Sequence, residues 1–133
     1  MASSFTEFAA EARERHAGAF AAAERDAFSI ATEAGAIEFI HAAGDPVGAV
    51  VRARVLDMGQ VPRAGAFAKA ALAGNFFWSG TGGATLSVGA DNALWLTERR
   101  LLDELAFEGG LEQCLEDFSA TVFAWRERSG LYA

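Results

Sequence analysis

Apolar residues recur along this chain at two different spacings, and each change of spacing marks a boundary between a helix and a strand. Over residues 5–23 they lie three and four positions apart, which predicts an amphipathic helix that starts with a Ser-x-x-Glu capping box and is weakened at Gly18. Beyond residues 24–26 the spacing falls to two, at positions 28–30 and 37–41, which predicts the two strands of a β-hairpin.

The rest of the chain continues this alternation of periods. Residues 47–55 alternate as a third strand, and residues 62–74 keep helical spacing up to a left-handed Gly-Asn stop. Residues 84–88 and 94–96 predict a second hairpin. Residues 111–125 predict a last amphipathic helix with one apolar stripe.

These elements predict an α+β fold in the order α-β-β-β-α-β-β-α, with an antiparallel sheet flanked by helices. The chain has 133 residues, the usual size of one domain, so we expect a single domain over residues 1–133.

Charge and cysteine content narrow the classes of function. Eighteen acidic against eleven basic residues leave a net charge of −7, which disfavours binding to nucleic acid phosphates. No apolar run approaches the roughly 18 residues of a membrane span, and the first residues lack the pattern of a signal peptide. A single cysteine suits a reducing compartment, so we expect a cytoplasmic protein without membrane insertion.

The residues that could carry chemistry form no catalytic or metal-binding pattern. Cys114 lies on the apolar side of the last helix, where a buried structural thiol is expected. His16 and His41 fall on apolar faces without a carboxylate at ligand spacing. The glycine-rich residues 80–83 lack the preceding strand, the following helix and the lysine of a phosphate-binding loop. We therefore expect no enzyme activity, no metal and no cofactor.

Apolar residues exceed what one small core can cover. Phe76, Phe77 and Trp78 are consecutive and follow a helix end, and Trp95 adds a further large ring. Such an excess in a soluble chain is typical of an oligomer or partner interface.

Four segments resemble the class I type III secretion chaperones of the Tir-chaperone, or CesT, type. They are Ala-Ala-Leu-Ala-Gly-Asn-Phe at 70–76, Gly-Gly-Ala-Thr-Leu-Ser-Val at 82–88, Ala-Leu-Trp-Leu-Thr at 93–97, and the last helix at 111–125. The resemblance covers nearly the whole chain and is most specific between residues 65 and 125.

The resemblance implies a cytosolic homodimer in a bacterium that has a type III secretion system. Such a protein binds the N-terminal chaperone-binding segment of a secreted effector without ATP and keeps it non-globular, soluble and ready to be threaded. The secretion apparatus is a further candidate partner, and the process served is virulence. The alternatives are a dimeric sensory or regulatory domain of similar fold without an effector client and, more remotely, an enzyme.

Two sets of apolar residues are the candidate sites. The predicted effector-binding groove is lined by Phe5, Phe8, Phe28, Ile30, Ile37 and Phe39. The alternative for these six is that they form the core between the first helix and the sheet. The predicted dimer interface, on the second helix and the stretch after it, consists of Phe67, Leu72, Phe76, Phe77 and Trp78.

Overall fold

A computed structural model describes residues 4–23 and 26–133 of the chain. The predicted boundary between the first helix and the hairpin includes Glu24 and Arg25, which lie outside the described residues. The α-helices are α1 Phe5–Arg15, α2 Ala64–Gly74, α3 Leu102–Ala106 and α4 Gly110–Ser129. The strands are β1 Phe20–Ala22, β2 Ala27–Thr32, β3 Gly35–Ile40, β4 Gly48–Asp57, β5 Thr85–Val88 and β6 Ala93–Leu101. Short 3-10 turns occupy Met58–Gln60, Phe76–Trp78 and Gly130–Tyr132.

The strands form one antiparallel sheet in the order β1-β2-β3-β4-β6-β5, so that β1 and β5 are its two edges. Side chains from α1 and α4 join the same core cluster on one face of this sheet. The predicted α+β class and the antiparallel sheet flanked by helices are thus confirmed.

The core follows the predicted apolar stripes. The predicted stripe of α4 is buried throughout and comprises Leu111, Leu115, Phe118, Val122 and Trp125. Under α1, the Phe28 and Phe39 rings stack with centroids 5.0 Å apart, and Phe8 meets both rings at 5.5 and 5.7 Å. The alternation of β2 and β3 therefore gives α1 an aromatic surface on which to pack.

The first helix ends eight residues earlier than the periodicity predicts, and this part of the prediction is wrong. Ser4 caps α1 as expected, since its Oγ accepts a hydrogen bond from the Glu7 backbone N–H at 3.1 Å. The helix stops at Arg15, however, and Phe20–Ala22 form the edge strand β1. Alanine-rich spacing suits a helix or a strand, and pairing with the next strand, β2, selects the strand here.

The end of α1 is tied to the start of α4. Glu112, in the first turn of α4, lies 2.8 Å from His16 Nε2 and 3.1 Å from Arg15 Nη1. Burial alone would raise the pKa of Glu112, but the hydrogen bond from His16 and the charge of Arg15 lower it overall. These contacts fix the point at which the chain leaves α1 and turns toward β1.

Two further details differ from the predictions. The short helix α3 follows β6 directly and was not predicted. Asn75, after α2, has a φ of −74° and is therefore right-handed, so the predicted left-handed stop is wrong. The helix ends instead in a turn in which the Asn75 side chain is hydrogen-bonded to the backbone N–H and C=O of Leu86 in β5.

Candidate functional site

The cysteine and histidine side chains that could carry chemistry have structural roles in the fold. Cys114 is fully buried, and burial raises the pKa of its thiol to about 12. The His41 ring stacks on Phe5 at 5.4 Å, and its Nε2 lies 2.9 Å from the Asp45 carbonyl. Among the described residues, no group of three or more His, Cys, Asp or Glu side chains is arranged to hold a metal ion. None of the helices described is both long and apolar enough to cross a membrane.

A groove of about 330 Å³ runs between α1 and the β1 edge of the sheet, and we call it the α1–β1 groove. Its lining consists of Phe5, Thr6, Ala9, Ala10, Arg13, Phe20, Ala22, Asp26, Ala27 and Phe28. The small side chains of Ala9 and Ala22 leave the space, while Phe20 and Phe28 stack at 5.1 Å to form an aromatic floor. This combination suits one or two apolar side chains of a partner.

The two ends of the α1–β1 groove carry opposite charges. At one end the Arg13 guanidinium lies 5.9 Å above the centre of the Phe20 ring, and no carboxylate among the described residues pairs with it. At the other end Asp26 is exposed, with its Oδ2 3.7 Å from His41 Nδ1. The apolar floor of the groove therefore lies between one cation and one anion.

Backbone groups complete the groove at β1. The Ala31 N–H donates to Ala19 O at 2.9 Å and the Ala23 N–H donates to Ala27 O at 3.0 Å. In an antiparallel pair the bonded residues alternate, so Ala22, between them in the register, directs its N–H and C=O away from β2. Among the described residues, no partner takes the outward N–H and C=O of Ala22, so the groove is bordered by a strand edge with one donor and one acceptor.

The six residues predicted to line the groove are all buried in this chain. Phe5 and Phe28 do reach the wall and floor of the α1–β1 groove. Phe8, with Ile30, Ile37 and Phe39, lies in the core between α1 and the sheet. Their burial agrees with the core alternative, and contact of these six with a client stays a prediction.

Four of the five residues predicted at the dimer interface are exposed and adjacent, and we call them the aromatic patch. Their exposed fractions are 68% for Leu72, 71% for Phe76, 79% for Phe77 and 52% for Trp78. The fifth, Phe67, is fully buried against Trp125 and Tyr132, with ring centroids 6.1 and 5.4 Å away. Phe67 therefore belongs to the core and offers no free surface to a second copy.

The turn that carries the aromatic patch is conformationally unusual. Phe77 and Trp78 have φ values of 49° and 54°, a left-handed region that side chains other than glycine seldom adopt. Gly80 anchors the turn, since its N–H donates to Gly74 O at 3.0 Å and its carbonyl accepts from Trp125 Nε1 at 2.8 Å. Strain of this kind is held by the surrounding structure and is typical of functional surfaces.

The sequence did not predict β1 or the role of Arg13, which both form part of the lining of the α1–β1 groove. The periodicity predicts that Phe20 and Ala22 lie in a helix, whereas both lie in β1. Gly18 is the one signal of this difference, because a glycine inside a helical pattern can mark the end of the helix. Arg13 could not be distinguished from other charges on the polar side of α1. Only the return of the chain as β1 brings Arg13 beside Phe20.

Comparison with known families agrees with this fold. The model of the Tir chaperone protein (CesT) family matches residues 39–126, about two thirds of the chain. The match includes the aromatic patch, while α1, β1 and β2, which line the α1–β1 groove, precede it. A search of curated proteins found no match. The chain belongs to the Tir chaperone protein (CesT) family, whose members are type III secretion chaperones and not enzymes.

Proposed function

We propose that this protein is a type III secretion chaperone that binds the N-terminal chaperone-binding segment of a secreted effector in the bacterial cytosol. The α1–β1 groove carries this proposal, because it combines an apolar floor with the available backbone donor and acceptor of Ala22. Peptides that add a strand to a sheet use both features: main-chain hydrogen bonds for affinity and pockets for alternate side chains.

In this mechanism the effector segment binds in extended form. Its backbone pairs with β1 while an apolar side chain enters the groove over Phe20 and Phe28. Full burial of one such side chain contributes about 1.5–3 kcal/mol, and each backbone hydrogen bond to β1 adds about 1 kcal/mol. No step needs ATP, because the binding free energy itself keeps the segment non-globular and ready for secretion.

We further propose that the protein is a homodimer that associates through the aromatic patch. Exposed apolar clusters of this kind are uncommon on monomers, and a two-fold interface would bring two copies of the same patch together. Each dimer would then carry two α1–β1 grooves for one effector segment to wrap around.

The effector proposal is tested with a substitution in the groove. The tagged protein is purified from its native host, the bound secreted protein is identified by mass spectrometry, and a peptide of its N-terminal segment is titrated. Ala9→Glu places a charge in the groove on a half-buried helix position, and we expect affinity to fall about tenfold or more. Ala124→Glu, exposed on α4, is the matched control and should bind normally.

Two results would contradict the proposal: capture of no secreted protein, or equal affinity of the wild-type and Ala9→Glu proteins. Changing Phe5 and Phe8 together to Asp is a poorer test. Both are buried, so the double substitution is expected to unfold the chain instead of acting on the complex alone.

The dimer proposal is tested by sedimentation at micromolar concentration. Phe77→Asn removes the most exposed ring of the patch with a residue that tolerates a left-handed backbone. Phe107→Ser removes an equally exposed ring, 73% accessible, after α3. We expect the first variant to be monomeric and the second to remain dimeric. A monomeric wild-type protein, or a dimeric Phe77→Asn variant, would refute this interface.

A further inference from the structure

The two edges of the sheet differ in whether their backbone groups are available. At the β5 edge, the Gly89 N–H donates to Ala93 O at 2.9 Å, which makes this residue pair hydrogen-bonded. The alternation of an antiparallel ladder then directs the N–H and C=O of Leu86 and Val88 away from β6. Without a partner, this edge would accept another strand as readily as β1.

The side chain of Asn75 occupies this edge. Its Nδ2 donates to Leu86 O at 2.9 Å, and its Oδ1 accepts from the Leu86 N–H at 2.8 Å. A carboxamide has the same donor and acceptor as a peptide group, so Asn75 pairs with Leu86 as a residue of a neighbouring strand would. Asn75 is itself held at the end of α2, where its N–H lies 3.2 Å from the carbonyls of Ala71 and Leu72.

We propose that Asn75 closes the β5 edge against strand addition, so that an extended partner segment can join the sheet only at β1. That this partner is an unfolded effector segment rests on the proposed function. At β5, among the described residues, only Val88 keeps an outward N–H and C=O without a partner, so an added strand could pair with one residue. At β1, Ala22 keeps both of its groups among the described residues, and Phe20 directs its C=O outward while its N–H donates to His16 O at 2.8 Å. Two alternate residues of β1 therefore offer three groups alongside the α1–β1 groove.

The closed edge also determines how two copies can meet. Pairing of β5 with β5 across a dimer would need the Leu86 groups that Asn75 already occupies. A dimer that forms through side chains of the aromatic patch, as proposed above, therefore has two sheets that are not continuous through β5. Each protomer offers one strand edge to an effector, and a dimer offers two.

A designed strand tests this inference without knowledge of the natural effector. An alternating Val-Thr segment is fused to the N-terminus through a Gly-Ser linker of about 20 residues, which has a root-mean-square reach of about 25 Å. The sheet edges lie about 24 Å apart, five strand spacings, so the tethered segment can reach either edge. Site-resolved amide hydrogen exchange then reports which edge it joins.

In the wild-type chain the tethered strand should slow exchange of the Ala22 amide about tenfold or more and leave Val88 unchanged. Without the probe, Asn75→Ala should speed exchange of the Leu86 amide about fivefold or more, while Leu96, which faces β4, stays unchanged. With the probe, the same variant should gain protection at Val88.

Protection of Val88 in the wild-type fusion, or unchanged exchange at Ala22, overturns the inference. Should Asn75→Ala fail to fold, Asn75→Asp keeps the acceptor for the Leu86 N–H and loses only the donor, and the wild-type fusion alone is decisive. Failure to find an effector would contradict the proposed function and leave the result of this experiment unaffected, because the probe is a designed strand.

Discussion

Gly74→Ala is expected to destabilise the protein, although alanine is the better helix former. A Cβ at this position would lie 2.5 Å from Cζ2 and 2.9 Å from Cη2 of Trp125. Carbon atoms in contact normally lie about 3.5–4.0 Å apart, so the indole ring would have to move by an ångström or more. The ring is 1% exposed, and its Nε1 donates to Gly80 O at 2.8 Å. The Trp125 ring is therefore packed on all sides and cannot shift without disturbing its neighbours.

The competing contributions have different magnitudes. Alanine gains at most about 1 kcal/mol of helix propensity, and less at the last residue of α2. Overpacking costs about 1–3 kcal/mol, and loss of the Trp125 hydrogen bond costs about 1 kcal/mol more. We therefore expect a net loss of about 1–3 kcal/mol in the free energy of unfolding. Gly65→Ala, in the same helix with no atom within 4 Å of the added Cβ, should instead gain up to about 1 kcal/mol.

Urea unfolding at one fixed protein concentration, followed by circular dichroism, measures both variants. A double-mutant cycle with Trp125→Phe adds a second check, because the smaller ring lacks Cζ2 and Cη2 of the indole. The cost of Gly74→Ala should fall by about 1 kcal/mol or more in that background. Equal stabilisation by Gly74→Ala and Gly65→Ala would refute the argument that Trp125 requires glycine at this position.

Three other predictions follow from polar and titratable groups. Arg126 donates to three backbone carbonyls at 2.6, 2.7 and 3.2 Å across the β2–β3 turn and a bulge in β4, so Arg126→Ala should cost about 2 kcal/mol in urea unfolding, and an unchanged midpoint would contradict this. The pKa of the Cys114 thiol, raised to about 12 by burial, predicts no measurable alkylation by iodoacetamide at pH 8 until the chain is unfolded in urea. The Arg99 guanidinium lowers the pKa of Asp45 from 3.8 to about 2. The Asp45 carboxylate therefore contributes its full stabilisation above about pH 4 and loses it as the pH falls toward 2. Asp45→Asn should flatten the acid-unfolding curve in that window, and an unchanged curve would contradict the assignment.

Local spacing predicted the parts of the fold in which one element buries one face. The period of two predicted β2, β3 and β4, and the apolar stripe of α4 was predicted residue by residue, because a buried face leaves its period in the sequence. The order of elements and the motif-like segments around Gly74 and Gly82 also indicate the chaperone family from the sequence alone.

The candidate sites depend on contacts between distant parts of the chain. Phe5 and Phe8 have the same apolar character, yet Phe5 reaches the wall of the α1–β1 groove while Phe8 lies wholly in the core. Residues 16–23 could form helix or strand, and pairing with β2 decided between them. The spacing of apolar residues predicts which side chains are buried, but it does not predict which backbone groups are hydrogen-bonded. Tertiary structure alone therefore determined that Asn75 closes one edge of the sheet and that β1 leaves the other open.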